Sequence, residues 1–344
     1  MEMTLATLTH ELTQIFLLSV GSFALAMILT PIYTYFAYRY KFWKKQRTSS
    51  TTGEILQVFT KLHAEKFKRS IPTMAGVIFC ISIVVVTLLF NRDRAQTFLP
   101  LAALVGGAGV GLLDDIINIR GQGLGVAGLR SSLKFIMIIG ISAVLGWFFF
   151  YKLGYNSIHI PFIGDWILGW WIIPLFMFAV VATSNAVNIS DGLDGLAGGL
   201  VALSFGSFGV IALLQGHTLI AGYCFTVVGA LLSYLWFNIY PARFFMGDVG
   251  SFALGTSLGV VAMLTNSLLL LPIIGCLFVV EAGSSLIQIV SKKFFHRKVF
   301  LSAPIHHHLE ASGWPEVKVT MRFWVIACVS GFIGIVVALA GGTI

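Results

Sequence analysis

The sequence predicts an all-α polytopic membrane protein with about ten transmembrane helices, and three observations carry this prediction. Hydrophobic residues make up 57% of the 344 residues and charged residues only 10%, less than half of the roughly 25% usual in soluble domains. The apolar residues form runs of helix length, which favours a helical bundle over a β-barrel. The basic residues are concentrated in alternate loops. A soluble globular protein could not cover its surface with so few charges.

The apolar segments divide the chain into candidate membrane crossings, each near the length of about 20 residues that a bilayer requires. One of them, 267–291, is long for a single crossing and contains Pro272 and Gly283, so we expect it to kink, tilt or protrude from the membrane. The predicted segments are 15–37, 72–90, 97–113, 132–151, 167–186, 197–214, 218–237, 250–265, 267–291 and 321–340.

The distribution of basic residues predicts the orientation of the bundle. One face, counted with its helix ends, holds 19 of the 22 Lys and Arg residues, and the other holds only Arg92, Arg94 and Lys152. By the positive-inside rule the basic face is cytoplasmic, and an even number of crossings makes both termini periplasmic. The net charge of +8 then reflects topology, so no nucleic-acid partner is expected. The predicted cytoplasmic loops are 38–71, 114–131, 187–196, 238–249 and 292–320.

The remaining features predict a single integral membrane domain over residues 1–344. The periplasmic loops are short apart from 152–166, where alternation over 158–162 followed by Gly164 predicts a small hairpin. All four cysteines fall in apolar stretches and none forms a CxxC pair, so the sequence indicates neither a zinc site nor a disulfide framework.

Five of the 14 acidic residues lie where predicted helices end on the cytoplasmic face. All five are aspartates in glycine-rich surroundings. Carboxylates that merely terminate helices would be scattered over both faces and mixed with glutamates, so the pattern favours a functional site. The five are Asp114 and Asp115, Asp191 and Asp194, and Asp248.

Clustered aspartates at the mouth of a bundle predict a cation that compensates their charge. Hard oxygen ligands with open positions favour Mg²⁺ that also binds substrate phosphates. Nearby glycines allow the backbone to approach a diphosphate, and helix N-termini after Asp194 and Asp248 would direct N–H groups toward it. The predicted site is therefore an active-site cleft on the cytoplasmic face.

The last cytoplasmic loop contains a histidine triplet, His306, His307 and His308. Adjacent side chains cannot all point at one ion in a regular element, which argues against zinc. Imidazoles beside a magnesium–diphosphate centre would instead contact phosphate oxygens or position substrate. Lys134, at the start of the fourth segment, is interpreted either as an interfacial lysine or as a phosphate ligand.

Five motifs together resemble those of the phospho-N-acetylmuramoyl-pentapeptide-transferase family, within the polyprenyl-phosphate N-acetylhexosamine-1-phosphate transferases. The similarity runs from about residue 40 to the last predicted span. The aspartate motifs are typical of the superfamily, and the histidine loop with GWPE behind it narrows the resemblance to the muramoyl-pentapeptide branch. The motifs are Pro72-Thr73-Met74-Ala75-Gly76, Asp114-Asp115, NAVNISDGLDGLA (185–197), FFMGDVGS (244–251) and APIHHHLEASGWPE (303–316).

The resemblance implies an enzyme of a bacterial inner (cytoplasmic) membrane. In such an enzyme undecaprenyl phosphate attacks the β-phosphorus of UDP-MurNAc-pentapeptide, so that lipid I forms and UMP leaves, and Mg²⁺ is required. The lipid bilayer is the remaining partner, and a homodimer is left open.

The resemblance also implies a role for each matching residue. Asp248 would bind Mg²⁺, with Asp191 as a second candidate ligand, and Asp114 or Asp115 would contact the lipid phosphate or take its proton. Asn188 and Asp191 would line the centre. The nucleotide side would use Asp194, Asn238 and Phe245 for the uridine, and the phosphates and sugar would be contacted by Lys68, Thr73, Lys134, His306, His307 and His308.

The sequence features also bear on three alternative functions. A sister transferase would use UDP-N-acetylglucosamine or another UDP-hexosamine with the same lipid, and the loop 303–316 argues against it. A cation-coupled transporter needs carboxylates near the middle of the bilayer and internal repeats, whereas Glu281 is the only acid deep in a predicted span and no repeat is visible. A lipid-binding scaffold would not need three aspartate motifs on one face.

Overall fold

The computed structural model describes residues 5–43, 70–121 and 128–344, which form a helical bundle with one small β-hairpin. Most of the helices are apolar along their whole length, because they pack against other helices or face lipid on all sides. Their bounds are α1 (Leu5–Arg39), α2 (Gly76–Phe90), α3 (Phe98–Arg120), α4 (Ser131–Tyr151), α5 (Ile172–Ser190), α6 (Leu196–Leu214), α7 (Thr218–Asn238), α8 (Gly247–Leu264), α9 (Leu271–Ile274), α10 (Cys276–Phe295), α11 (Ile305–Ala311) and α12 (Glu316–Ala340).

Within the described residues, eight helices are long and apolar enough to cross a membrane. Helices α9 and α10 pass the same test together but meet at 80°, so they form one broken span or a re-entrant loop. Helix α2 is equally apolar but has only 15 residues. The predicted all-α polytopic membrane fold is therefore confirmed. Nine of the predicted segments each coincide with one helix, and 267–291 coincides with the pair α9 and α10, while the number of ten crossings stays a prediction.

The bend expected in the long segment 267–291 is present, and it lies at Gly275 between α9 and α10. Neither of the residues expected to cause it breaks a helix. Pro272 lies in the first turn of α9, where its missing N–H removes no helical hydrogen bond. Gly283 lies inside α10 with open space around it.

Two helices extend beyond the predicted apolar segments and change where the aspartates lie. Helix α3 continues to Arg120 and ends where Gly121 adopts φ 66°, so Asp114 and Asp115 lie inside a helix rather than in the predicted loop 114–131. Helix α8 begins at Gly247, which places Asp248 in its first turn rather than before it. A negative charge is favourable there because the helix N-terminus carries partial positive charge.

Helix α8 lies at the centre of the bundle. Of its apolar stretch 94% is buried, against 22% for α1. Glycines let the backbones of its neighbours approach closely: a Cβ on Gly111 of α3 would overlap Asp248 O, and a Cβ on Gly255 would lie 2.6 Å from Ser184 Cα of α5. This packing of α3 directly on α8 carries Asp248 next to the paired aspartates of α3.

The end of the bundle away from these aspartates carries the hairpin. Strands β1 (Ser157–Ile160) and β2 (Gly164–Ile167) pair antiparallel, as the alternation over 158–162 predicted. Phe162 N at the tip donates a hydrogen bond to Gly341 O at 3.0 Å. The hairpin therefore lies against the C-terminal end of α12.

Candidate active site

Three aspartates from α3 and α8 meet at one end of the bundle. Asp114, Asp115 and Asp248 each offer a carboxylate oxygen, and these oxygens lie within 4.8 Å of one another. Asp114 and Asp115 are 1% and 0% exposed, and the side chain of Asp248 is 13% exposed. Carboxylates this close repel one another and have lost most of their hydration, so the arrangement favours a cation beside them.

Backbone amides hold the two aspartates of α3 in place. Asp115 Oδ2 accepts a hydrogen bond at 3.1 Å from Val249 N, in the first turn of α8, where amides have no helical partner. Asp114 Oδ1 accepts a hydrogen bond at 2.7 Å from Leu129 N. The aspartate pair therefore joins α3 to α8 and to the residues that lead into α4.

Lys134 supplies one cation to this cluster. Its Nζ lies 3.0 Å from Asp248 Oδ2 and 3.4 Å from Asp114 Oδ2, and its side chain is 13% exposed. An ordinary interfacial lysine would extend into water, whereas Lys134 pairs with two aspartates of the cluster. Its contact with phosphate stays a prediction. One ammonium balances only one of the three carboxylates.

The residues present fit a magnesium ion. Mg²⁺ binds carboxylate oxygens and retains open positions for water and phosphates. The Thr73 side chain is 2% exposed, and its Oγ1 has no hydrogen-bond partner among the described residues. It lies beside the cluster, because a Cβ on Gly247 would overlap Asp115 Oδ2 and lie 2.8 Å from Thr73 Oγ1. Asp191, the second candidate ligand, lies outside the group of three.

Phe245 lies beside the residues that lead into α2. Phe245 N donates to Pro72 O at 2.8 Å, and Ala75 N donates to Phe245 O at 3.0 Å, so the two segments are paired. The Phe244 ring is buried 5.5 Å from the ring of Phe237, whereas Phe245 is only half-buried. Phe244 already anchors the loop in the core, so an anchoring role does not by itself explain the aromatic side chain of Phe245.

Asp194 and Asn238 join two loops of the candidate site. Asp194 Oδ2 accepts from Ala242 N at 3.0 Å, and Asn238 Oδ1 accepts from Gly195 N at 3.0 Å. Asn238 Nδ2 donates to Phe244 O at 2.9 Å. Both side chains are 3% exposed. The turn before α6 and the loop before α8 therefore form one connected unit.

Asn188 and Asp191 lie at the C-terminal end of α5. Asn188 Nδ2 donates to Ser251 Oγ at 2.8 Å, one turn of α8 beyond Asp248. Asp191 caps the helix and is half-buried. Asn188 thus links α5 to the helix that carries Asp248.

His306 is oriented by a buried glutamate of α10. His306 Nδ1 lies 2.7 Å from Glu281 Oε2, and both side chains are 0% exposed. The ring also lies against Gly192, where a Cβ would overlap His306 Nε2. Because Gly192 belongs to the turn that contains Asp191 and Asp194, Glu281 and His306 connect α10 to this turn.

The other two histidines of the triplet face different partners. His307 Nδ1 lies 2.8 Å from Glu310 Oε2, and His308 Nδ1 accepts from Leu301 N at 3.2 Å. Burial and the neighbouring His306 lower the pKa of His307 below its usual 6.5, against the opposing effect of Glu310. His307 is therefore neutral near pH 7, and the three rings do not converge on one ion.

Two acids contact the candidate site without having been assigned a role from the sequence. Glu281 holds His306, and Glu316 Oε1 of α12 accepts from Asp194 N at 2.7 Å. Glu281 stands inside an apolar helix, where an acid is costly unless it has a partner, and that signal could have identified it. Glu316 lies in the first turn of α12, where an acid is favourable, so it carries no such signal. Lys68, predicted to contact phosphates, lies outside the described residues.

The chain is similar to known proteins over nearly all of its length. A family model described as glycosyl transferase family 4 matches residues 97–266. A phospho-N-acetylmuramoyl-pentapeptide-transferase of Chloroflexus aggregans (strain MD-66 / DSM 9485) is 38% identical, with 98% of this chain and 93% of that protein covered. The chain belongs to the phospho-N-acetylmuramoyl-pentapeptide-transferase family.

Other relatives of this family agree. Proteins of the same name from Geobacillus sp. (strain WCH70) and Clostridium novyi (strain NT) are 39% and 36% identical, and the alignments cover 91% and 92% of this chain. They cover 94% and 95% of those proteins. The resemblance drawn from the five motifs is thereby confirmed. The chain is a membrane-embedded transferase of peptidoglycan synthesis, and neither the transporter nor the scaffold interpretation is favoured.

Proposed function

We propose that the enzyme transfers phospho-MurNAc-pentapeptide from UDP-MurNAc-pentapeptide to undecaprenyl phosphate, giving lipid I and UMP. A phosphate oxygen of the lipid attacks the β-phosphorus of the nucleotide, and the bond from that phosphorus to UMP breaks, with its electron pair leaving on UMP. The single observation that carries the proposal is the buried cluster of Asp114, Asp115 and Asp248 beside Lys134, in a chain of this family.

The charges of the cluster suit a reaction between two phosphate groups. Exchange of one phosphate ester of a diphosphate for another changes bond energy little, so the work of the enzyme is to neutralise and align two anions. Three carboxylates alone would repel both substrates. Mg²⁺ bound by Asp248, and by the neighbouring aspartates, would supply positive charge to the phosphates. Lys134, Thr73 and Lys68 would contact phosphate oxygens.

A strong general base is not required in this mechanism. A phosphate monoester has a second pKa of about 6 and is mostly dianionic at neutral pH. Asp114 or Asp115 would contact the lipid phosphate and accept its remaining proton when one is present. Asn188 and Asp191 would line the centre, with Asp191 as the alternative metal ligand.

The nucleotide would bind at the joined loops that contain Phe245, Asp194 and Asn238. The half-buried Phe245 ring would stack on uracil, and the two polar side chains would contact its edges. Asn238 retains capacity for this, because its Nδ2 carries two hydrogens and Phe244 O takes one. His306, His307 and His308 would order the sugar-phosphate side.

The proposal places this end of the bundle at the cytoplasmic face of a bacterial inner membrane. The loops predicted to be cytoplasmic contribute the residues that meet here, and they carry most of the basic residues. With ten crossings, both termini would be periplasmic. Lipid-facing helices such as α1, with exposed Phe16, Val20 and Ile28, are compatible with a monomer or with a homodimer in the bilayer.

An assay with two nucleotides tests the proposed substrate against the sister activity. Membranes that contain this chain are supplied with undecaprenyl phosphate, Mg²⁺ and either UDP-MurNAc-pentapeptide or UDP-N-acetylglucosamine. We expect lipid I and UMP from the first nucleotide and no lipid product from the second. A lipid product from UDP-N-acetylglucosamine alone would assign the chain to the sister activity.

A further inference from the structure

One face of α12 binds the backbone of the turn between α5 and α6. Glu316, Thr320 and Trp324 are spaced by four residues, so their side chains lie along the same side of the helix. All three reach Asp194 or Gly195, more than one hundred residues earlier in the chain. Their contact with this turn is a separate arrangement from the aspartate cluster.

The three side chains bind three different backbone groups. Glu316 Oε1 accepts from Asp194 N at 2.7 Å, and Thr320 Oγ1 donates to Asp194 O at 3.2 Å. Trp324 Nε1 donates to Gly195 O at 3.1 Å. The fourth backbone group, Gly195 N, donates to Asn238 Oδ1. Every backbone polar group of Asp194 and Gly195 therefore has a side-chain partner.

The turn has a conformation that needs such support. Gly195 adopts φ 75°, which a residue with a side chain rarely adopts, and the turn lies between two helices without a regular hydrogen-bond ladder of its own. Trp324 also lies directly on α6, because a Cβ on Gly199 would overlap its indole ring. The same turn presents Asp194, whose Oδ2 holds the loop that leads to Phe245 through Ala242 N.

We propose that Glu316, Thr320 and Trp324 are positioning residues that hold the Asp194–Gly195 turn in the conformation that receives the nucleotide. This inference rests on the proposed function, since it takes the turn as part of the uridine site. A turn fixed before binding loses less conformational freedom when the nucleotide arrives. Glu316 is the last residue of the GWPE motif, which the chain shares with the muramoyl-pentapeptide branch. The proposal therefore gives this motif a role in nucleotide binding.

Side-chain variants of the three residues test the proposal through the KM of each substrate. Glu316→Ala, Thr320→Val and Trp324→Phe each remove one hydrogen bond to the turn. We expect each to raise the KM for UDP-MurNAc-pentapeptide by about five- to tenfold, as the loss of one hydrogen bond predicts. The kcat and the KM for undecaprenyl phosphate should stay within about twofold. Glu316→Gln and Thr320→Ser retain the hydrogen bond and should restore the wild-type KM.

Ser330→Ala is the matched control for Thr320→Val. Ser330 Oγ lies on the same helix and donates to the carbonyl oxygen of Ile274 at 3.3 Å, far along α12 from the turn. It should leave the KM of both substrates unchanged. Suppose that the wild type is active but the three variants leave the KM for the nucleotide unchanged, or raise the KM of both substrates equally. That result would overturn this inference alone. A wild type that forms no lipid I would overturn the proposed function and the inference together.

Discussion

Asp114 and Asp115 are buried, Asp248 lies partly buried within reach of them, and the three carboxylates repel one another. Lys134 offsets part of this repulsion through contacts with two of the three carboxylates. Burial of uncompensated charge costs several kcal/mol per ion, so the cluster favours a compensating cation. In the proposed function this cation is Mg²⁺, which would also bind the substrate phosphates.

The Phe245 ring is predicted to stack on uracil. Base–aromatic stacking is worth roughly 1–3 kcal/mol per base, so Phe245→Ala should weaken binding of the UDP-sugar by about tenfold or more. Undecaprenyl phosphate has no base to stack, so its affinity should barely change. Phe245→Trp should largely preserve nucleotide binding. Titration calorimetry with UDP-MurNAc-pentapeptide measures the difference.

The outcome for the lipid substrate decides how the Phe245 result is interpreted. Equal losses for nucleotide and lipid would mean that the loop between α7 and α8 had collapsed. No loss for either substrate would move the uridine site elsewhere. Phe244 is the buried anchor of the same loop, so a collapse is expected only when that neighbouring residue is changed.

The sequence predicted the aspartates but not their supporting contacts. Asp114, Asp115 and Asp248 stood out because acids are rare in this chain and these share one face. Glu281 and Glu316 could not be connected to His306 and Asp194, because the partners are 25 and 122 residues apart in the chain. Local spacing carries no information about such contacts. The hydrogen bond from Gly195 N to Asn238 Oδ1, 43 residues away, was hidden for the same reason.

At the scale of elements, helix type was predictable and helix ends were not. Apolar composition marks the part of a helix inside the membrane. Helices α3 and α8 extend beyond it into polar residues, and Gly121 marks the end of α3 while Gly247 marks the start of α8. The positive φ of both glycines marks the turns at which these helices end and begin. This difference matters for the site, because it places all three clustered aspartates on regular helix backbone, which holds them more rigidly than loops would.

The hairpin at the opposite end of the bundle supports a prediction about pH. His159 Nδ1 lies 2.8 Å from Asp165 Oδ1 and Nε2 lies 3.0 Å from Gly341 O. Both partners accept hydrogen bonds, so only the protonated ring satisfies them together. Burial opposes this charge, but the bonds to Gly341 and Asp165 outweigh it and raise the pKa of His159.

A raised pKa in the folded protein means that the stabilisation is present at low pH and is lost as pH rises through that pKa. Protection of the hairpin amides from hydrogen exchange, corrected for the intrinsic rate, should therefore fall as pH rises above the usual histidine pKa of 6.5. In Asp165→Asn the fall should occur at lower pH. The effect should be small because the Asp165 side chain is 62% exposed. Protection that does not change with pH would contradict this account.

At the scale of the whole molecule, the two ends of the bundle have different chemistry. One end carries the aspartate cluster, Lys134 and the histidine triplet 306–308, and the other carries the hairpin and the C-terminal residues. The excess of Lys and Arg in loops at the first end predicts that it faces the cytoplasm.

Cysteine labelling tests this orientation. In a chain without its native cysteines, a cysteine in the loop 38–71 should react with an impermeant maleimide only after the cells are opened. Ile163, at the tip of the hairpin and 81% exposed, is the matched control, and Ile163→Cys should be labelled in intact cells. The reverse pattern would overturn the orientation of the site.

The turnover of Asp248→Asn shows whether the aspartate end of the bundle catalyses lipid I formation. The substitution preserves shape but removes the charge that would hold Mg²⁺, whereas Asp165→Asn makes the same change at the opposite end. Membranes are supplied with UDP-MurNAc-pentapeptide, undecaprenyl phosphate and Mg²⁺, and lipid I is measured. Wild type and Asp165→Asn should form lipid I, and chelation of Mg²⁺ should stop this reaction. Asp248→Asn should form no lipid I. Activity of Asp248→Asn within about tenfold of wild type would remove Asp248 from the metal site and contradict the account.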